Sequence, residues 1–176
     1  NAGTLSISAD ANLGNAASGI TVNGASTLQV TGSFTTARAV VLNANAMVEV
    51  TTGQNFTMGG TIFGTGGRIK TGTGTLTLTG ANFYTGGNEI SQGTVSISSD
   101  ANLGNASTVL ILSNATIVGG AGTGADAVLQ TTASFSSNRN IAFTDGGGRI
   151  GTATGTALAL TGSITTRKGC SRPAST

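Results

Sequence analysis

Histidine and tryptophan are absent from this chain of 176 residues, and cysteine and proline occur once each, at Cys170 and Pro173. Without histidine the commonest general base and metal ligand are missing, and one cysteine can build neither a Cys/His pair nor an internal disulfide. Aromatic residues make up only 4% of the chain, too few for sandwiches or propellers whose cores Trp and Tyr pin. Charged residues make up 8%, against roughly a quarter in an ordinary soluble domain. No apolar run approaches the ~18 residues of a membrane-spanning helix. No signal peptide is present, so Asn1 is expected to follow a processed or trimmed segment.

The formal net charge of +2 is concentrated at one end, with Arg167, Lys168 and Arg172 in the last ten residues. The other five cations, Arg38, Arg68, Lys70, Arg139 and Arg149, face six acids, so the body is slightly acidic and carries no basic stripe for nucleic acid. The stretch "RKGCSRPAST", residues 167–176, matches nothing upstream and reads as a cloning remnant or an out-of-frame end. Set apart from it, the body is free of cysteine, as suits an exported protein. Disorder goes with high net charge and few β-branched residues, whereas this chain is rich in Val, Ile and Thr, so a folded, β-rich protein is expected.

What is present is repetition. "GTLSISADANLGNA" from Gly3 returns as "GTVSISSDANLGNA" from Gly93, and "LQVTGSF" (Leu28 to Phe34) returns as "LQTTASF" (Leu129 to Phe135). The second copy carries about twelve extra residues near "VGGAGTGADAV". The correspondence stops beyond Ile164, which gives one unit over 3–92 and a shorter one over 93–166, together a body spanning 1–166. Within a unit, apolar residues come in i, i+2 pairs between Gly, Asn and Thr clusters: Leu5/Ile7, Ile20/Val22, Val40/Leu42, Phe56/Met58, Leu76/Leu78, Val95/Ile97, Val109/Ile111 and Ile141/Phe143 among them. Alternation with period two is the strand signature, and no helical period appears. Thin apolar faces bury little singly but much when successive turns stack around a narrow interior, which predicts a β-solenoid filled by Leu, Val and Ile, since rings strain so narrow a stack. At roughly 20 residues per turn the chain makes about eight turns and a rod of about 40 Å.

"GTGTLTLTGANFYTGGNEISQGTVSIS", Gly72 to Ser98, resembles the autotransporter-associated β-strand repeat of passenger domains in bacterial type V secretion proteins. The resemblance rests on a Gly-rich lead, the strand from Thr75 to Asn82, "YTGG" at Tyr84 to Gly87, and Gly93-Thr94-Val95 opening the next strand. It implies an all-β, right-handed parallel β-helix, secreted or displayed on the outer face of the outer membrane by a C-terminal barrel, in a family with no shared active site.

Several residues invite a functional reading. Asp10 and Asp100 are copies in "DANLGNA" and are expected to close an Asx turn by accepting backbone N–H groups. Arg38 and Arg139 are also copies, expected at a turn edge, solvated or paired with an acid one turn away. A sugar-cleaving pair would need two carboxylates within about 5 to 10 Å, and a sugar site would need the acids to converge with the one tyrosine, Tyr84. "AGTGADAVL", Ala121 to Leu129, approximates a calcium nonapeptide with Asp126 at the acid position, but calcium sites of this kind need tandem copies. Thr75, Thr77 and Thr79 have the spacing of an ice-binding face, yet the copies read "TLSIS", "TVSIS" and "TALAL", so ordinary β propensity explains them. Asn55, Asn105 and Asn114 open glycosylation sequons, uninformative in a bacterial protein.

The sequence therefore predicts no catalytic, cofactor-binding or metal site. It predicts a non-enzymatic stalk whose neutral Thr/Asn/Ser surface serves adhesion to a host surface or glycan, homotypic self-association, or end-to-end stacking, without nucleic-acid binding or membrane insertion. The reading set against it is a glycan-binding or glycan-cleaving β-helix of the phage-tail kind.

Overall fold

The computed structural model of the chain describes residues 3–113, 127–144 and 148–166. Every strand pairing among them is parallel, and the strands stack as a β-solenoid of about seven turns. In chain order the strands are β1 (Thr4–Ile7), β2 (Ile20–Val22), β3 (Ser26–Val30), β4 (Phe34–Thr36), β5 (Val40–Leu42), β6 (Ala46–Val50) and β7 (Asn55–Met58). They continue as β8 (Ile62–Gly64), β9 (Arg68–Thr71), β10 (Thr75–Leu78), β11 (Asn88–Ile90), β12 (Gly93–Ile97) and β13 (Leu110–Ser113). The last are β14 (Ala127–Thr131), β15 (Phe135–Ser137), β16 (Ile141–Thr144), β17 (Arg149–Thr152), β18 (Leu158–Leu160) and β19 (Ile164–Thr166). The helical content of the described residues is two short 3-10 turns, Asp10–Leu13 and Asp100–Leu103.

The chain visits three faces in a fixed order. The first face is the eight-stranded sheet β1-β3-β6-β9-β11-β13-β16-β19, and the second is the six-stranded sheet of β4, β7, β10, β12, β14 and β17. The third begins as β2-β5-β8. It then continues through the non-strand segment at Asn82 to Thr85, which bonds back to Ile62 and Gly64 and forward to Ala101 and Asn105. Beyond the second 3-10 turn it resumes as β15-β18. Seven turns replace the eight expected because a turn often exceeds 20 residues: Thr4 pairs with Thr27, and Gly93 pairs with Ala127. The latter passage is eleven residues longer than the former, where the sequence shows its extra residues.

The repeat and the turn do not share a period. β1 lies on the first face, yet its copy β12 lies on the second, so one sequence unit makes four and a third turns and its copy is rotated to the neighbouring face. Equivalent residues of the two units therefore do not stack.

Inward residues form columns along the rod, as the period-two pattern requires. On the second face one column reads Phe34, Phe56, Leu76, Val95, Leu129, Ile150 and the next Thr36, Met58, Leu78, Ile97, Thr131, Thr152. Phe34 and Phe56 accommodate each other tilted by 51° with ring centres 4.8 Å apart, and Tyr84 is fully buried, so the interior holds more ring than the composition suggested. One expected pair is out of phase: Leu110 and Leu112 face inward, while Val109 is 40% exposed and Ile111 lies between the inward leucines. In "VLIL" alternation leaves both phases open, and the register with β11 and β16 decides.

Candidate functional site: a hydroxyl row and a buried polar cluster

The outward side of the second face carries the most regular polar feature. Parallel register stacks Thr35, Thr57, Thr77 and Ser96 on four successive turns, and Asn55, Thr75 and Thr94 beside them on three. Neighbours in a column lie ~4.8 Å apart and the two columns ~6.8 Å apart, as strand geometry dictates. Among the described residues none of these hydroxyls is bonded within the chain, and no charge interrupts the columns before Arg149. Comparing sequence copies hid this alignment, because Thr75 and Thr77 stack on Asn55/Thr57 and Thr94/Ser96 rather than on their copies. The row ends at Gln130 and Gly151 in one column and at Val128 and Arg149 in the other, short of the regularity an ice lattice needs.

The "DANLGNA" copies work differently from the Asx turn expected of their aspartates. Asn12 Oδ1 accepts the N–H groups of Ser8 and Ala9, and Asn102 Oδ1 those of Ser98 and Ser99. The aspartates instead receive arginines from an adjacent turn. Arg38 Nε lies 2.9 Å from Asp10 Oδ1, and Arg139 Nε 3.1 Å from Asp100 Oδ1. Both arginines are buried, at 4% and 1% exposure, which overturns a solvated edge and fits the pairing. Hydrogen bonds from Arg38 and then from Thr36 hold the Asp10 carboxyl below its ordinary 3.8. Gly14 and Gly104 follow the turns at φ +74° and +72°, where a side chain would be strained.

A second polar group lies inside the rod, where sequence reasoning missed it. Arg68 and Lys70 on β9 point inward, Arg68 in a column with Ser26, Ala46, Asn88, Leu110 and Ile141, and Lys70 in one with Val48, Ile90 and Leu112. Arg68 Nη2 donates to Asn88 Oδ1 at 2.9 Å, the Tyr84 hydroxyl donates to the same oxygen, and Asn88 Nδ2 donates to Leu103 O. Lys70 Nζ donates to the carbonyls of Thr71, Gly72 and Gln92. Burial first, and the Arg68 charge second, push the Lys70 ammonium down to about 7, with Glu49 opposing. Asn82 completes the group, accepting from Ile62 N–H and donating to Asn102 O. These bonds replace the missing strand of the third face and give the buried amides of Asn82 and Asn88 their partners, while Arg68 Nε and Nη1 are left without one.

The other sequence candidates do not assemble. Tyr84 is buried and engaged, so it offers no stacking platform for a sugar. Glu89 accepts from Ser91 and Ser113, and Glu49 accepts from Gln29. Asp126 and Asn114 lie outside the described residues, as do Asp145 and the 167–176 stretch. Among the described residues no group of three metal-ligating side chains occurs, and no helix is long and apolar enough to cross a membrane.

The class these features define is a parallel β-solenoid. Residues 69–97 match the family model described as passenger-associated-transport-repeat, in agreement with the resemblance drawn from Gly72 to Ser98. No curated protein and no solved structure matched the chain. The matched stretch contains Lys70, Asn82, Tyr84 and Asn88 of the internal polar cluster, and Arg68 lies one residue before it. That repeat implies a secreted or surface-exposed protein and fits a stalk segment of an autotransporter passenger.

Proposed function

We propose that this chain is a rigid, non-enzymatic stalk segment of a bacterial autotransporter passenger, displayed outside the outer membrane, and that its second face mediates homotypic adhesion between cells. The observation that carries the reading is the unbonded, uncharged hydroxyl row over four turns. A single hydroxyl contact is worth only about 0.5–1.5 kcal/mol, but a rigid row makes several at once against a like row, and two copies related by a two-fold axis meet with the same patch on both sides. Rigidity matters because ordering is then complete before contact is made.

Sedimentation velocity over a concentration series tests this, with the ends of the rod charged by Leu5→Lys and Ile164→Lys to remove stacking through them. Growth with concentration that disappears when Thr57→Lys and Thr77→Lys are added supports the reading. A monomer throughout, or growth indifferent to the two face lysines, refutes lateral association through this face.

A further inference from the structure

A cavity of about 340 Å³ runs from the rod end formed by β1 and β2 into the interior. Its walls are apolar, with Ile20, Val22, Leu42, Val48 and Met58 among them, and Arg68 is the one charged residue that lines it. Arg68 is 2% exposed, and its Nε and Nη1 have no hydrogen-bond partner. Above it in the same inward column stand Ser26 and Ala46, both small, which leaves the guanidinium room to turn towards the cavity. Among the described residues no carboxylate faces it from inside: Glu49 lies on the outward side of β6, bonded to Gln29.

An unpaired guanidinium among apolar walls calls for an anion, since a buried charge is tolerated when it is paired and hydrogen-bonded. The walls call for the opposite chemistry. A ligand that satisfies both has an anionic head and an alkyl tail. The volume lies at the lower end of the roughly 300–1,000 Å³ typical of ligand pockets, which suits one chain of medium length and excludes a phospholipid.

We propose that this cavity binds a medium-chain alkyl carboxylate, with the carboxylate accepting hydrogen bonds from Arg68 Nε and Nη1 and the tail lying against the apolar walls towards β1 and β2. The site is distinct from the outer hydroxyl row, so the two proposals stand or fall separately. Lys70, two residues along β9, adds to the case. Its ammonium is pushed down to about 7 partly by the Arg68 charge, and an anion bound there would relieve that repulsion.

The test is calorimetric titration of the full chain with decanoate below its micellar concentration, with decanol and acetate as comparisons, and the Arg68 Nε–H resonance followed by NMR. Saturable one-to-one binding of decanoate is expected, at least tenfold tighter than either decanol or acetate, with the Arg68 resonance shifting on saturation. Arg68→Met should weaken it tenfold or more. Because that substitution also removes a buried hydrogen bond, Ala46→Leu provides a second arm: it keeps the charge of Arg68 but fills the space beside the guanidinium in the same column, and should abolish decanoate binding. The proposal is overturned if decanoate shows no saturable binding. It is equally overturned if decanol or acetate binds as tightly, if Ala46→Leu binds undiminished, or if the Arg68 resonance stays in place on saturation.

Discussion

Arg38 reaches Asp10 from an adjacent turn with both ends of its guanidinium, Nε 2.9 Å from Oδ1 and Nη2 3.2 Å from Oδ2. Its remaining donors take the carbonyls of Gly14, Asn15 and Ser18, so one side chain fastens the whole loop between β1 and β2. Arg139 repeats the arrangement with Asp100, Gly104, Asn105 and Thr108, on a different face of the rod. The clamp is thus a local module, carried intact as the unit rotates.

Removing either arginine takes away the ion partner of a carboxylate, leaving Asp10 with Thr36 and Asp100 with the Ser137 hydroxyl, and deprives several loop carbonyls of a donor. Arg139→Ala is expected to lower the unfolding free energy by about 3–5 kcal/mol, in the range for breaking a buried pair. Arg38→Ala should lower it less, because the Asp10 side chain is 29% exposed against 18% for Asp100 and recovers more hydration. Denaturant unfolding of both variants measures this, and equal or negligible losses would contradict the clamp.

The strand alternation, the stacking and the passenger-type repeat were legible because the i, i+2 pairs and "TLTLTGAN" are local signals. The turn count was less so, since turns of 20 to 23 residues and the long passage to Ala127 leave no mark on period-two alternation. Arg68-Ile69-Lys70 defeated the pattern outright. Alternation puts Ile69 inside and the cations outside, whereas register with Ala46 and Val48 does the reverse. The hydroxyl row was hidden for another reason: which residues stack depends on the turn, and the turn does not divide the repeat.

Lys70 gives a pH prediction with a definite sign. Its folded value of about 7 lies below the ordinary 10.5, so between these values the unfolded chain binds more protons and stability rises with pH. The groups bearing on it are Arg68, which depresses it, and Glu49, which opposes; the three carbonyl acceptors also favour the ammonium. Unfolding free energy measured from about pH 6 to about pH 9 should climb by a few kcal/mol at most. Lys70→Met should flatten that rise. A rise unchanged in the variant assigns it to another group.

Gly86 explains part of the "YTGG" requirement by close approach. A Cβ there would lie 2.2 Å from Gly67 N and 2.3 Å from Gly66 C, both backbone atoms of the preceding turn that cannot swing away. Gly86→Ala should therefore force the turns apart, with a loss of about 3 kcal/mol or more, comparable to other backbone and overpacking lesions. Gly3→Ala, with nothing within 4 Å, should stay within about 0.5 kcal/mol of the parent. Thermal melts of the two variants side by side check the contrast.

The rod ends supply the last prediction. Among the described residues β1 and β2 at one end, and β17, β18 and β19 at the other, have a strand partner on one side only, while Leu5 is 52% and Ile164 54% exposed. Unpaired parallel edges with apolar tips are templates for another chain, and here the two ends are different surfaces. A contact between unlike ends is heterologous, so it does not close on itself and propagates as a filament. Electron microscopy of the concentrated protein should show rods several times the ~34 Å that seven turns at ~4.8 Å provide. Leu5→Lys with Ile164→Lys should return them to single length by placing a positive charge on both meeting surfaces. Single rods from the parent protein would argue against stacking. Filaments that survive both lysines would place the contact on a face instead, where Thr57→Lys and Thr77→Lys should then dissolve them.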